Sequence, residues 1–215
     1  MSYLGIDLGT SGLRALLVDE KGTPIGAAER SYDVHHPQAG WSEQNPLDWI
    51  AALDSAIAEL SQTHPAFHDL KGIAVSGHMH GAVLVDDDGA PLRPCILWND
   101  TRSQMQAAKL DAMTDVRAIS GNIVFPGFTA PKLEWVRTHE PDIYSRIAKV
   151  VLPAGYLNWY LTGDYVADMS DSAGTSWLDV GRRDWSPTLL SAGQMKRSQM
   201  PRLVEGGEVA GKLRS

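Results

Sequence analysis

The chain of 215 residues has little cysteine, no long hydrophobic run and no excess of positive charge. Its one cysteine, Cys95, excludes an internal disulfide and fits a reducing compartment, so we expect a cytoplasmic location. The sequence has no run of about 18 apolar residues, as a membrane-spanning helix needs, and no basic flank and apolar stretch typical of a secretory signal. The 19 Lys and Arg against 26 Asp and Glu give a net charge of −7, which argues against partners such as nucleic acid or an anionic membrane.

What the sequence does contain is the composition of a folded domain, with 43% hydrophobic and 21% charged residues. Apolar runs at 3–8, 13–18 and 25–34, separated by turn residues, predict an antiparallel meander of three strands. Asn45 and Pro46 are typical of a helix N-cap and first helical position, and apolar residues recur at helical spacing from there to Leu60.

The rest of the chain mixes strands and helices. Residues 72–75 predict a short buried strand with 82–85 as its neighbour, and residues 101–113 predict a helix. Strands first and then strands alternating with helices indicate an α/β fold with a mixed sheet flanked by helices.

The most informative segment, 6–14, reads Ile-Asp-Leu-Gly-Thr-Ser-Gly-Leu-Arg. Glycines such as Gly9 let the backbone approach a ligand closely, and Thr10 and Ser11 supply hydroxyl and amide donors for phosphate oxygens. Arg14 can add a charge-assisted contact to the same group. The pattern therefore predicts a phosphate-binding turn, with a plain hairpin turn as the alternative.

Asp7 ends the first predicted strand, where a carboxylate can hold Mg²⁺ through its waters beside phosphates. The turn that follows is not a Walker A loop, because no Gly-Lys-Thr/Ser follows the glycines. A ribonuclease H-like nuclease also opens with a strand-borne Asp and a meander. That activity needs several acids around two metals, and the sequence offers no convincing partners for Asp7.

A second segment, 76–81, places Met79 and His80 in a glycine-flanked loop after a strand. Such a loop can direct a polar group into a cleft, where it bonds the hydroxyls of a small ligand. A capped strand end remains the plainer interpretation. A metal site built on His78 and His80 is disfavoured, because no third ligand lies near them in sequence.

A third segment, 94–102, leads from apolar residues into Trp98, Asn99 and Asp100. An aromatic face packs on the C–H surface of a sugar, and the two polar side chains can bond its hydroxyls. Asp100 can equally cap the helix predicted to follow, and on the residues alone the cap is favoured.

Six segments together resemble the FGGY carbohydrate kinases, and within them the xylulokinases. They span the whole chain in the family's order and cover residues 5–12, 41–49, 79–81, 96–100, 126–135 and 168–175. Arg14 stands where many relatives carry Lys, a departure that keeps the charge.

The resemblance implies a ribonuclease H-like lobe of the actin, Hsp70 and sugar-kinase superfamily. It implies ATP-dependent phosphorylation of D-xylulose to D-xylulose 5-phosphate, with ATP and Mg²⁺ as cofactors and, in the full-length protein, a homodimer among the expectations. It assigns Asp7 to the Mg²⁺-bound phosphate through water, Gly9, Thr10, Ser11 and Arg14 to the phosphates, Met79 and His80 to the ketopentose, and Trp98, Asn99 and Asp100 to the wall of the same pocket.

Part of the family's machinery is not found in the sequence. Relatives carry a catalytic Asp in a Gly-Gly-Asp-Asn-like loop, whereas Gly206 and Gly207 are followed by Glu208 and Val209. We therefore expect residues 1–215 to form the N-terminal, sugar-binding lobe of a longer kinase, inactive alone, with the ATP-binding lobe absent. A noncatalytic sugar-binding or interaction module remains an alternative, and a ribonuclease H-like nuclease is less favoured.

Overall fold

The computed structural model describes residues 1–113 and 115–214. The strands are β1 (Ser2–Leu8), β2 (Gly12–Asp19), β3 (Pro24–Ser31), β4 (Glu43–Gln44), β5 (Leu70–Gly77), β6 (Val83–Val85), β7 (Cys95–Ile96), β8 (Lys149–Val151), β9 (Val166–Asp168), β10 (Leu178–Asp179), β11 (Asp184–Trp185) and β12 (Arg202–Val204). The helices are α1 (Pro46–Thr63), α2 (Gln104–Asp111), α3 (Val116–Ser120), α4 (Thr129–His139), α5 (Pro141–Ser145), α6 (Pro153–Thr162), α7 (Met169–Ala173) and α8 (Pro187–Ala192), with 3₁₀ turns at Pro65–Asp69 and Arg197–Gln199.

A four-stranded sheet of order β3-β2-β1-β5 forms the first part of the molecule. β1, β2 and β3 pair antiparallel, as the sequence predicts, because short turns join their apolar runs. β5 lies parallel to β1, so the sheet is mixed. The carboxyl ends of β1 and β5 therefore meet at one edge of the sheet.

The two faces of this sheet differ. Leu4, Ile6 and Leu8 alternate along β1 onto a buried face, where they share an apolar cluster with side chains of α1 and α6. Tyr3 and Asp7 point to the opposite, exposed face. Asp7 is therefore open to solvent at the end of a strand that is otherwise anchored in the core.

Helix α1 begins where the sequence predicts. The Asn45 side chain accepts a hydrogen bond from the Leu47 amide, and Pro46 occupies the first helical turn. Trp49, Leu53 and other apolar residues of one helix face pack on the sheet and are fully buried.

The second part of the molecule is built around α4 and short strand pairs. β4 pairs with β7, β6 with β8, β9 with β12, and β10 with β11. Leu133 and Val136 of α4 and Trp177 lie in a second apolar cluster.

The pairing predicted between residues 72–75 and 82–85 was wrong, whereas the strand predicted at 72–75 forms but is longer and less buried than expected. Residues 82–85 do not neighbour 72–75, because the chain turns at His80 in a left-handed conformation (φ 65°) and β6 pairs with β8 instead. The strand at 72–75 extends over Leu70–Gly77, and it is only half-buried because in the described part of the chain it lies at an edge of the sheet.

Helix α2 begins at Gln104 rather than at 101 and ends at Asp111 rather than at 113. The Asp100 carboxylate does not cap it, since that group bonds Ser42 and Arg102. Across residues 1–113 and 115–214, no helix has the length and apolarity needed to cross a membrane.

Candidate functional site

The turn between β1 and β2 is held in place by β3 and by the residue Tyr32, which follows β3. The Gly9 amide donates to the Gly12 carbonyl at 2.9 Å, and the Tyr32 hydroxyl donates to the Gly9 carbonyl at 2.6 Å. A Cβ atom at Gly12 would lie 2.6 Å from the Arg30 carbonyl oxygen, so only glycine fits there. The turn predicted to bind phosphate is therefore a fixed structure.

Two side chains from distant segments brace Thr10 at the tip of this turn. The buried Gln44 amide donates to the Thr10 carbonyl at 2.6 Å, and its oxygen accepts from the Trp49 indole at 3.2 Å. The Trp98 indole donates to the Thr10 hydroxyl at 3.1 Å. Gln44 was not singled out from the sequence as a site residue, because its contacts are to a backbone carbonyl and a core indole.

The tip of the turn presents donors to solvent. The backbone amides of Thr10 and Ser11 make no hydrogen bond within the described residues, and Ser11 is exposed. Arg14, also exposed, forms a 3.3 Å ion pair with Glu29 at the surface. Free amides in a tight turn beside a guanidinium fit the oxygens of a phosphate group.

Asp7 and Arg14 stand directly opposite each other on β1 and β2. The Asp7 carboxylate accepts a hydrogen bond from the Ser76 hydroxyl of β5 at 2.9 Å. A single exposed carboxylate with its remaining lone pairs free suits Mg²⁺ that keeps most of its waters. The donor set at this edge is therefore compatible with a magnesium–phosphate group.

The loop after β5 starts at the same edge of the sheet. The His78 amide donates to the Leu8 carbonyl at 2.9 Å, which fixes the loop beside the end of β1. Met79 is exposed, and the half-buried His80 ring packs against Phe128 in a tilted arrangement, with 4.6 Å between centroids. The predicted sugar segment thus lies next to the predicted phosphate turn.

Both histidines of this loop are neutral near pH 7. Burial, and then the charge of Lys132, lower the pKa of His80 to about 4 and the pKa of His78 to about 4. A neutral imidazole can both donate and accept a hydrogen bond, which suits contact with a hydroxyl. Both ring nitrogens of His78 are buried without a partner among the described residues, and its ring meets Trp49 edge-on.

The third segment, 94–102, contains both exposed and buried side chains. Trp98, 43% exposed, and Asn99 face solvent. Asp100 is buried: its carboxylate accepts from the Ser42 amide at 2.6 Å and pairs with Arg102 at 2.7 Å. Asp100 therefore fixes the loop from behind, and its predicted place in the pocket wall stays a prediction, as do the roles of the other site residues.

Other parts of the molecule offer less for this chemistry. Among residues 1–113 and 115–214, no group of three or more His, Cys, Asp and Glu could hold a metal ion, so nothing described here supports a two-metal nuclease. A groove of about 740 Å³ follows β5 and α6, but none of the predicted site residues lines it. We place the candidate site at the sheet edge because the phosphate donors and the aromatic wall meet there.

Comparisons with known proteins show the family of the chain. A family model described as the N-terminal domain of the FGGY family of carbohydrate kinases matches residues 2–215. The xylulose kinase of Escherichia coli is 47% identical over 212 residues, which are 98% of this chain and 44% of that protein.

Solved structures give the same result. A kinase from Brucella ovis, described as a xyloylose kinase, superposes with a TM-score of 0.98 at 58% identity and covers 100% of this chain and 46% of its own. Xylulose kinase from Rhodospirillum rubrum superposes with a TM-score of 0.91 at 31% identity, covering 95% of this chain and 43% of its own. The chain thus spans somewhat less than half the length of these relatives.

Proposed function

The chain belongs to the FGGY family of carbohydrate kinases, and from this premise we propose that it is the sugar-binding part of a kinase for D-xylulose. The proposed reaction transfers the terminal phosphoryl group of ATP to D-xylulose and gives D-xylulose 5-phosphate. The names of its relatives, which are xylulose kinases, support this choice of sugar.

One observation carries the proposal. The Trp98 indole donates a hydrogen bond to the Thr10 hydroxyl, although the two residues are 88 positions apart in the chain. The segment suited to phosphate and the segment suited to a sugar are therefore in direct contact. Phosphoryl transfer requires this proximity, because the attacking hydroxyl must lie in line with the phosphate.

We assign the residues as follows. The Thr10 and Ser11 amides and Arg14 bind phosphate oxygens, with Gly9 shaping the turn. Asp7 would hold Mg²⁺ through its waters. The exposed faces of Met79, Trp98 and Asn99 and the neutral ring of His80 contact the ketopentose, while Asp100 holds the Trp98 loop in place.

ATP, when bound, would supply the phosphoryl group, and its Mg²⁺ would offset part of the phosphate charge. The chain's own residues orient the sugar against the turn and exclude water from its apolar side. We assign none of these residues as the general base for the sugar hydroxyl. We propose that the base and the ATP-binding lobe come from sequence outside these 215 residues, and that the protein works in the cytoplasm.

Calorimetric titration of the chain with D-xylulose, D-ribulose and glycerol tests the sugar assignment. We expect D-xylulose to bind more tightly than D-ribulose or glycerol and the chain to show no turnover with ATP. In the full-length protein, His80→Ala should weaken D-xylulose binding by about tenfold, a loss of about 1.4 kcal/mol in binding free energy.

His68→Ala is the matched control, because His68 is an exposed histidine of the 3₁₀ turn Pro65–Asp69. It should leave the affinity unchanged. Equal affinity for D-xylulose, D-ribulose and glycerol would refute the substrate assignment. If the full-length protein binds D-xylulose tightly but shows no turnover with ATP, a noncatalytic sugar-binding module would be favoured.

A further inference from the structure

Lys132, on the first turns of α4, is fully buried (0% exposed). Its ammonium group contacts no carboxylate in the described part of the chain. It donates instead to two backbone carbonyls, that of His80 at 2.8 Å and that of Gly127 at 2.7 Å. Burying a cation that has only neutral acceptors lowers the stability of the fold. Packing alone therefore does not explain why this buried residue is a lysine.

The first carbonyl belongs to the predicted sugar-binding histidine. His80 has a left-handed backbone (φ 65°), a conformation that non-glycine residues hold only when the surroundings impose it. The Thr129 hydroxyl also donates to the His80 carbonyl, at 3.2 Å. Two donors from α4 therefore fix this turn, and with it the ring that packs against Phe128.

The second carbonyl belongs to the loop behind Trp98. A Cβ atom at Gly127 would lie 2.3 Å from the Trp98 carbonyl oxygen, so the two backbones are in close contact. The Trp98 indole in turn reaches Thr10. By holding the Gly127 carbonyl, Lys132 fixes the wall of the pocket that faces the phosphate turn.

The ammonium group also sets the charge of its surroundings. Burial lowers the pKa of Lys132 to about 7, and when charged the group lowers the pKa values of His80 and His78. Both a contact of Lys132 and its charge therefore act on His80.

We propose that Lys132 is the positioning residue of the sugar pocket: it ties the His80 turn to the Gly127 loop and so holds His80 and Trp98 at the separation that a ketopentose needs. This inference rests on the proposed function for its ligand, but the geometry of the two loops can be tested without any ligand.

The experiment compares Lys132→Met, which keeps the volume and removes the donors, with Thr129→Val, which removes only the second donor to His80. The control is Lys149→Met, because the Lys149 ammonium also donates to a backbone carbonyl, that of Ser198 at 2.6 Å, away from the site. Calorimetry gives the dissociation constant for D-xylulose. The NMR signal of the His80 imidazole reports the position of the ring against Phe128.

We expect Lys132→Met to weaken D-xylulose binding by about tenfold, equivalent to about 1.4 kcal/mol, and Thr129→Val by about threefold. Both variants should move the His80 imidazole signal, and Lys149→Met should change neither readout. If Lys132→Met does not fold, Thr129→Val carries the test.

Folded Lys132→Met or Thr129→Val protein with the wild-type affinity and an unmoved His80 signal would overturn the inference. Absence of D-xylulose binding in the wild-type chain would count against the proposed function instead. In that case the His80 signal alone decides whether Lys132 positions the turn.

Discussion

Asp171, on the short helix α7, is a carboxylic acid that resists ionisation. Burial, and then the neighbouring Asp168 carboxylate, raise its pKa to about 7. The two histidines of the sugar loop show the opposite shift, to about 4. In all three residues the native environment favours the neutral form of the side chain, because desolvation penalises charge of either sign.

The stability of the protein should therefore depend on the protonation of Asp171. The pKa of an unfolded Asp is about 3.9, so between about pH 4 and pH 7 the native state binds more protons at this residue than the unfolded state does. This contribution to stability is full below pH 4 and is lost as the pH rises to 7. Asp171→Asn should remove the loss, so that its free energy of unfolding relative to wild type rises by about 3 kcal/mol from pH 4.5 to pH 8, at about 1.4 kcal/mol for each pH unit between the unfolded and the folded pKa.

Urea unfolding of both proteins at the two pH values measures the difference, and Asp87→Asn, a change in an exposed loop, is the control. Parallel pH profiles for Asp171→Asn and wild type would show that the carboxyl ionises normally in the folded protein.

The contact between Thr10 and Trp98 can be measured by a double-mutant cycle. Trp98→Phe keeps an aromatic face and removes the indole N–H, and Thr10→Val removes the acceptor. Because the bond at 3.1 Å is partly exposed, we expect a coupling free energy of about 0.5–1 kcal/mol in urea unfolding. As a control, a cycle of Thr10→Val with Trp159→Phe on α6 should give a coupling free energy near zero. A similar coupling for both pairs would remove the support for a direct contact between the phosphate turn and the Trp98 segment.

At the scale of elements, the sequence predicted those structures whose signals are local. β1, β2, β3 and α1 follow from apolar runs between turn residues and from an Asn-Pro helix start, and all four form. The partner of β6 could not be predicted, because it depends on the left-handed turn at His80, a conformation that no sequence pattern marks. The ribonuclease H-like fold implied by the resemblance is confirmed by the solved kinases.

Some residues of the candidate site could likewise be predicted from the sequence, and others could not. Thr10 and Trp98 could be named from the types of residue in their segments, and the structure joins them. Gln44, His78 and Lys132 were missed as site residues, because their contacts are made inside the protein to backbone groups or rings from other segments. A buried lysine in particular looks like a surface lysine until its surroundings are known.

The start of α1 offers a test at this scale. Asn45→Ala removes the side chain that accepts from the Leu47 amide and should lower the free energy of unfolding by about 1 kcal/mol. Ser61→Ala, near the other end of the same helix, should cost less than about 0.5 kcal/mol. Urea unfolding measures both, and equal losses would show that Asn45 contributes nothing special as a cap.

At the scale of the whole molecule, a buried ionic network joins the two apolar clusters. Glu43 of β4 pairs with Arg93 at 2.5 Å and with Arg102 at 2.7 Å, and Arg102 also pairs with Asp100. Glu43 leads into α1, which packs in the first cluster, and Arg102 precedes α2, which packs in the second. The same network fixes the strand that carries Gln44 and the loop that carries Trp98, so both braces of Thr10 depend on it.

Removal of Arg102 should therefore disturb the whole fold. Its guanidinium is buried, lies 3.7 Å from the centre of the Trp41 ring, and neutralises Asp100 and Glu43. Arg102→Met fills the same space but leaves two buried carboxylates short of a partner, which should cost about 3–5 kcal/mol in urea unfolding. Arg117→Met breaks an exposed ion pair with Asp111 and should cost less than about 1 kcal/mol. An equally small loss of unfolding free energy for Arg102→Met and Arg117→Met would contradict this prediction. It would mean that apolar packing alone holds the two clusters together, because Asp100 and Glu43 would then be hydrated or protonated without the guanidinium at little cost.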